Sequence, residues 1–358
     1  DPFLLGLVNL FRAIPLLLLS FPSGIAADRF SKKRILMASQ ACTMVLHVIL
    51  ATLIATGAVQ IWHVFLTAFL TGAAQCFIQP ARQSLVPSLV NRNEIMNAIG
   101  LTAAAMNISR ILGPSVAGAL IGLIDIATVY YLQASVFIAV IITTAMMEVP
   151  AAKMAKATEP VLQNLAGGFS YIRKNHVVLT LLLLALIPML FGMPYMTLMP
   201  VFADEVFGIG ASGTGVLTSA PGIGALIGAT AVASAGNLRR KGALLLLGAF
   251  GFGAFLLLFA LSRWLFLSLA ALVIVGSTSA AYITMTNTLL LTLSPSHLHG
   301  RVMSIYMMDR GLVPLGSVLA GALAAQWSAP LAVGLMGGFC ALLALATALA
   351  SPQVRRLE

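Results

Sequence analysis

Apolar residues fill this chain in long unbroken stretches, separated by short clusters of charge, glycine and proline. The stretches are continuous rather than alternating, so they predict helices and not half-buried strands. A bilayer crossing takes about 20 mostly apolar residues. Reading the breaks gives eleven such spans, near 3–25, 35–57, 61–83, 96–122, 128–149, 177–202, 212–235, 243–262, 264–292, 302–326 and 330–350. Backbone inside lipid must satisfy its own hydrogen bonds, which leaves helices or closed barrels. The expected class is therefore an all-α membrane protein.

Composition agrees with that class. Of the 358 residues 60% are hydrophobic and 8% charged, against roughly 25% charged in soluble domains. The mean hydropathy is +1.01. The net charge of +10 changes the picture through its placement. All Lys and Arg except Arg12, Arg110, Arg263 and Arg310 fall at alternate span ends, from the Arg29–Arg34 turn to Arg355 and Arg356. The opposite ends carry Arg263 with Asp125, Asp204 and Glu205. This is the positive-inside pattern and predicts cytoplasmic basic loops in a multi-pass cell-membrane protein. It gives no reason to expect nucleic acid as a partner. The first residue is Asp1 and the first span then runs inward, so a helix is expected upstream of it.

The longest polar interval, Pro150 to His176, divides the chain. The expected organisation is an amino-terminal bundle over 1–150, a cytoplasmic linker over 151–176 and a carboxy-terminal bundle over 177–358. Within the linker Val161, Leu165, Phe169 and Ile172 recur at helical spacing, which predicts an amphipathic helix lying along the membrane surface. The halves also echo one another. "SRILGPSVAGAL" and "DRGLVPLGSVLAGAL" both place an arginine, Arg110 or Arg310, four residues before a proline and end in Gly-Ala-Leu. Paired six-helix halves are a transporter architecture.

At "GIAADRFSKKR" the sequence resembles the loop signature G-x-x-x-D-R-x-G-R-[RK] of the major facilitator superfamily. Gly24, Asp28, Arg29, Lys32 and Lys33 carry the match, with Ser31 in place of the second glycine and Arg34 as a further base. The resemblance covers essentially the whole chain and implies two six-helix bundles, the first helix missing and eleven visible. "QPARQSLVPSLVNRNEIMNAIGL", "GGFSYIRKNHVVLTLLLL" and "SPSHLHGRVMSIY" resemble the branch of macrolide and siderophore exporters, enterobactin exporters included. In the family the signature aspartate belongs to a cytoplasmic gate, which places Asp28 near Arg301 with Arg82 and Glu94 as charge partners. Gly113, Pro114, Ala117, Gly118 and Gly122 resemble the family's antiporter signature, which implies export by proton antiport. One departure stands out: the arginine many such antiporters carry four residues before a glycine is here Ala68, before Gly72.

Intramembrane charge is costly, at least about 2.5 kcal/mol on insertion scales, so Arg12, Arg110, Asp309 and Arg310 are the candidates for a substrate or proton cavity. Asn107, one turn from Arg110, joins them. Asp309 is the sole carboxylate deep in any span and the candidate proton carrier; Arg110 and Arg310 suit an anionic or zwitterionic substrate. Cys42, Cys76 and Cys340 read as small packing residues and the 16 Met as adaptable apolar filling. "FGIGASGTG" spells a literal G-x-G-x-x-G, but without a preceding strand it predicts a loop rather than a nucleotide site. His297 and His299 lack further ligands, His47 and His63 read as interfacial, and no cofactor or metal is expected. No phosphate-binding G-x-x-x-x-G-K-[ST] loop is present, so energy must come from a gradient or another chain.

The sequence thus predicts a non-enzymatic, monomeric secondary transporter. It would export a small drug- or siderophore-like molecule by alternating access around a midplane cavity, with protons and the bilayer as its other partners. A lipid or lysolipid translocator of the same fold is the alternative. A membrane sensor or scaffold is a third, though it would need neither the signature loop nor the paired halves.

Overall fold

The structure is a computed structural model that describes residues 2–85, 89–91, 94–149, 171–173, 175–234, 240–295 and 298–357. The Val161, Leu165 and Phe169 positions of the expected linker helix lie outside the described residues, as do Arg92 and His297. Among the described residues the chain is helical. In chain order the helices are α1 (Pro2–Arg29), α2 (Lys32–Ala55), α3 (Ile61–Leu85), α4 (Ile95–Leu123) and α5 (Ile126–Met146). After the linker come α6 (His176–Val206), α7 (Gly210–Ser234), α8 (Lys241–Leu261) and α9 (Leu265–Leu293). The segmented helix α10 starts as His299–Met307 and resumes as Leu312–Gln326; α11 (Ala329–Ala350) and the short α12 (Pro352–Arg355) follow. Among the described residues, eight of these helices are long and apolar enough to cross a bilayer.

Polar caps fix several helix starts where the apolar pattern is blind. Asn175 Oδ1 accepts from the amides of Val177 and Val178, both at 3.2 Å, and opens α6. Ser328 Oγ accepts from the Leu331 amide at 3.3 Å and opens α11. At α5 the Asp125 carboxylate accepts from the Thr128 amide at 2.9 Å and from its hydroxyl at 2.6 Å. These donors fill orphan helix-end positions and favour the ionised acid, so they hold the Asp125 carboxyl below the usual aspartate range, the hydroxyl contributing most. A lowered folded pKa means that the cap is fully present above the ordinary aspartate pKa of about 3.9 and is lost as pH falls through the folded value. Hydrogen-exchange protection at Thr128, corrected for intrinsic rate, is therefore expected to hold from pH 7 to about 4 and to fade below that range. Asp125→Ala should remove it at every pH, and Asp125→Asn should keep it without the acid transition.

The chain divides into two compact units. The amino-terminal unit comprises Leu7–Ser109 and Val116–Lys156; the carboxy-terminal unit comprises Asp1–Gly6, Arg110–Ser115 and Ala157–Glu358. In the amino-terminal unit α2 packs along both α3 and α5, and Phe11 of α1 stacks on Phe65 of α3 at 4.8 Å. Large apolar side chains stay open on the outside of both units, including Leu18, Leu101, Leu123, Leu261, Phe266 and Leu349. Water-facing surfaces do not tolerate apolar patches of that extent, whereas lipid does. Trp62, Trp264 and Trp327 are all exposed at or beside helix ends, the level at which an indole meets a membrane interface.

The carboxy-terminal unit has the larger core. Phe202, Phe252, Leu256, Phe259, Leu272 and Val275 are almost fully buried there, with Phe202 and Phe259 in ring contact at 4.6 Å. Helix α7 lies along α9, and Gly224 and Gly228 sit where a Cβ would strike the Val273 and Ser277 carbonyl oxygens. Gly276 of α9 meets the Pro221 carbonyl in the same way. The spacing of Gly224 and Gly228 is that of close membrane-helix packing, and the structure places it there.

Two helices of this unit are not continuous α-helices. Helix α6 passes from α-helix into a π turn at Pro188–Gly192, a 3-10 stretch at Met193–Leu198, one α turn and a second π turn at Phe202–Val206. Pro188, Pro194 and Pro200 supply the cause, since proline removes a backbone donor and crowds the preceding turn. Helix α10 has a 3-10 stretch at Met308–Gly311. The second part of α10 packs on the irregular part of α6, joined by a 3.0 Å hydrogen bond between the Thr197 and Ser317 hydroxyls. The Cys340 thiol donates to the Ile187 carbonyl at 3.8 Å, just before the first π turn.

Where the linker is described, it meets protein. Ile172 is buried against the carboxy-terminal core, and the Tyr171 hydroxyl donates to the Leu293 carbonyl at 3.1 Å. This end of the expected surface helix is docked rather than lipid-facing. Cys76 and Cys340 are buried as expected, while Cys42 is exposed on α2.

Candidate functional site

The signature turn is tighter than the sequence suggested. Helix α1 runs to Arg29 and α2 starts at Lys32, so only Phe30 and Ser31 lie between them. Asp28 and Arg29 thus occupy the last turn of one helix, and Lys32, Lys33 and Arg34 the first turn of the next. An acid at a helix C-terminus and bases at an N-terminus both oppose the helix dipole. Arg29 favours the dipole of its own helix, but Asp28, Lys32, Lys33 and Arg34 are not placed for helix stability. Lys33 finds compensation elsewhere: its Nζ donates to the Met147 carbonyl at 2.8 Å, at the C-terminal end of α5. The side-chain environments of Gly24, Asp28, Arg29 and Arg301 lie outside the described residues. Of the proposed partners of Asp28, Arg82 donates to Gln79 Oε1 at 3.3 Å and to Met106 Sδ at 3.6 Å. Glu94 accepts from the amide and side chain of Asn91, both at 3.2 Å.

Helix α4 passes through Gly113-Pro114 without interruption. Gly118 is buried, Ala117 and Gly122 are exposed, and a Cβ at Gly113 would meet open space. The side-chain placements of Asn107 and Arg110 lie outside the described residues, as does that of Arg310.

Two intramembrane charges can be followed in detail. Arg12 of α1 is exposed and within electrostatic range of His47 on α2 and Tyr130 on α5. His47 lies 5.7 Å by ring centroids from both Tyr130 and Phe137, and its Nδ1 is buried without a hydrogen-bond partner. His47 thus belongs to the packed face between α2 and α5. His63 does sit at a helix start, where its Nδ1 accepts from the Gln60 amide at 2.9 Å.

Asp309 lies in the 3-10 stretch of α10 and is 4% exposed. It is in electrostatic range of the Tyr282 hydroxyl on α9, as is Tyr306, one turn before it. Both tyrosines are buried. The region thus joins one carboxyl and two phenols where the α10 backbone leaves regular geometry. Sequence reasoning found Asp309 but not the tyrosines. The tyrosines gave no distinctive signal, since Tyr282 lies among many polar residues of its run, Ser277, Thr278, Ser279, Thr284 and Asn287 included.

The turn marked by Gly208 and Gly210 is a loop into α7. Both glycines have positive φ, 65° and 58°, which explains their presence without a nucleotide. His299 Nε2 donates to the Ser294 carbonyl at 2.8 Å, within its own loop.

Residues 2–358 match the family described as transmembrane secretion effector. The chain belongs to this family. Among curated relatives, the chain is 25% identical over 316 residues to the Staphyloferrin A transporter of Staphylococcus aureus, covering 88% of this chain and 79% of the relative. It is 24% identical over 318 residues to Enterobactin exporter EntS of Shigella flexneri, covering 88% and 75%. Macrolide efflux protein A of Streptococcus pyogenes is 22% identical over 243 residues, 66% of this chain and 59% of that protein. Two solved structures share the fold. The nucleoside transporter NupG superposes with a TM-score of 0.76 at 15% identity, covering 99% of this chain and 91% of that one. A bacterial homologue of the human lysosomal transporter Spinster gives 0.76 at 13% identity, covering 99% and 90%. The chain is thus an all-α, multi-pass membrane transporter of the major facilitator fold, in its exporter branch, and not an enzyme.

Proposed function

We propose that the protein is a secondary transporter that exports a small drug- or siderophore-like molecule by alternating access in exchange for protons. The observation that carries the reading is the family match over residues 2–358 together with relatives named as efflux proteins and siderophore transporters. In this reading the basic loops and the C-terminus face the cytoplasm of a bacterial-type cell, and the protein works as a monomer. Asp309 carries the proton, because it is a buried carboxyl with two buried phenols nearby in a segmented helix. Arg12, Arg110, Asn107 and Arg310 contribute to attracting an anionic or zwitterionic substrate. Asp28, with Gly24, Arg29, Lys32, Lys33 and Arg34 around it, acts in a gate. Asp28 at the end of α1 and Lys32, Lys33 and Arg34 at the start of α2 oppose the helix dipoles, whereas Arg29 favours its own, so most of these charges answer to some purpose other than helix stability. Gly113, Pro114, Ala117, Gly118 and Gly122 allow α4 to bend during the cycle.

The test is transport in vesicles holding the full-length protein, with and without an imposed proton gradient, using macrolide and siderophore probes. The expected result is gradient-dependent movement of at least one probe, slowed by Asp28→Asn without loss of membrane insertion. Movement of a lysolipid probe instead would favour the translocator alternative. No movement of any probe in correctly inserted protein would overturn the reading.

A further inference from the structure

Helix α10 is seated in two cores. Its first segment, His299–Met307, buries Val302 and Tyr306 among Tyr282, Leu289 and Leu290. Its second, Leu312–Gln326, buries Ala320 and Ala324 among Tyr195, Leu198 and Phe202. Asp309 stands in the four-residue 3-10 stretch, Met308–Gly311, that joins them. A 3-10 helix turns about 120° per residue and an α-helix about 100°. The joint therefore rotates the second segment by roughly 80° more than four α-helical residues would. The direction of the Asp309 carboxyl thus depends on how both segments are held.

What holds the second segment can be named. Gly316 lies flat on α6, where a Cβ would strike the Leu190 carbonyl and the Pro194 ring. Ser317, the next residue, meets the Thr197 hydroxyl at 3.0 Å and donates to the Val313 carbonyl of its own helix, also at 3.0 Å. Leu190 belongs to the first π turn of α6, and Pro194 and Thr197 to its 3-10 stretch. A hydrogen bond between membrane helices is directional and fixes a register that alkyl packing leaves free to slide.

The titratable groups around the joint are few. The Tyr282 hydroxyl of α9 is in electrostatic range of Asp309, of Tyr306 and of Cys340 on α11. Between His176 and Asp204, α6 carries one titratable side chain, Tyr195, which belongs to the other core. Helices α7 and α8 carry none beyond Lys241 at the start of α8. The arginines of the same unit within apolar runs are Arg110 and Arg310. Phenol O–H groups turned towards a carboxyl favour its ionised form.

We propose that Thr197 and Ser317 are positioning residues for the proton step. Their bond keeps the second segment of α10 in register and so holds the Asp309 carboxyl towards the phenols of Tyr282 and Tyr306. Neither hydroxyl handles the proton. The inference rests on the reading of Asp309 as a titrating carboxyl and extends it to a seat about two turns further along the helix.

Infrared titration of the full-length protein in phosphatidylcholine vesicles tests this without a transported probe. The titrating carboxyl band that Asp309→Asn removes belongs to Asp309. Thr197→Val keeps the side-chain shape and loses the hydroxyl. It is expected to raise the pH midpoint of that band, tightening proton binding by at least about threefold. Ser317→Ala should do the same, and the double variant should add little, since both changes remove one bond. Thr197→Ser should restore the wild-type midpoint. Gly224→Leu, on the α7–α9 seam, is the structural control: it should lower the thermal midpoint and leave the band in place. Thermal unfolding checks each variant, and if Ser317→Ala is misfolded the two Thr197 variants decide. An unmoved or lowered band midpoint in folded Thr197→Val overturns the proposal, as does a shift that Thr197→Ser fails to reverse or that Gly224→Leu equals. A titration without any Asp309 band overturns it together with the carrier role. Wild-type pH dependence of transport in Asp309→Asn, with the band shifts as expected, would remove the carrier role and leave the positioning standing.

Discussion

Asp309→Asn is expected to leave the protein folded and inserted while cutting gradient-driven transport by at least about tenfold. Such a drop corresponds to roughly 1.4 kcal/mol in the coupled step. The amide keeps the size and much of the hydrogen-bonding capacity of the acid but cannot titrate. If Asp309 is the proton carrier, the remaining transport should no longer depend on pH. Tyr282→Phe, by contrast, removes a phenol near the carboxyl and should shift the pH dependence without removing it. A structural ion pair with a neighbouring arginine predicts something different. Breaking a buried pair leaves an uncompensated charge and costs about 3–5 kcal/mol, so the thermal midpoint would fall sharply. Transport across a pH series and thermal unfolding of the same preparation separate the two. Wild-type pH dependence in Asp309→Asn would rule out the carrier role.

Gly224→Leu should be the most destabilising single change on the α7–α9 seam. The obstacle is the Val273 main-chain carbonyl, which cannot swing aside as a side chain can. Overpacking costs about 1–3 kcal/mol, and the upper end is expected here because two backbones must separate. The melting midpoint in detergent should fall by roughly 5–10 °C, at about 2–4 °C per kcal/mol for larger chains. Gly276→Leu, against the Pro221 carbonyl, should behave alike. Gly113→Ala is the control. Nothing lies within 4 Å of its added carbon, so helix propensity alone predicts no loss of stability. Similar midpoints for Gly224→Leu and Gly113→Ala would contradict the seam.

The membrane helices were legible because each apolar run is longer than a bilayer crossing requires, and short polar turns such as Phe30–Ser31 mark the ends. Gly224 and Gly228 stand four residues apart, a spacing that points to a close helix contact but not to α9 as the partner. What could not be read was which face of each helix packs on which neighbour. In lipid a helix is apolar on its packed and exposed faces alike, so hydrophobic periodicity says little about pairing. That is why the contact of His47 with Tyr130 and Phe137 could not be read from its place in the run. Ile172 shows the same limit from the other side. Its amphipathic pattern fits a membrane surface or a protein surface equally, and the structure chose protein.

The segmented course of α6 has a mechanical consequence. A 3-10 helix rises about 2.0 Å per residue and an α-helix about 1.5 Å. The six-residue stretch Met193–Leu198 would therefore shorten by about 3 Å on converting to α-helix. One end of α6 would move along its axis while the other stayed anchored. Regular helices such as α8 have no such stroke and must tilt or slide whole. Helix α6 can act as a short spring.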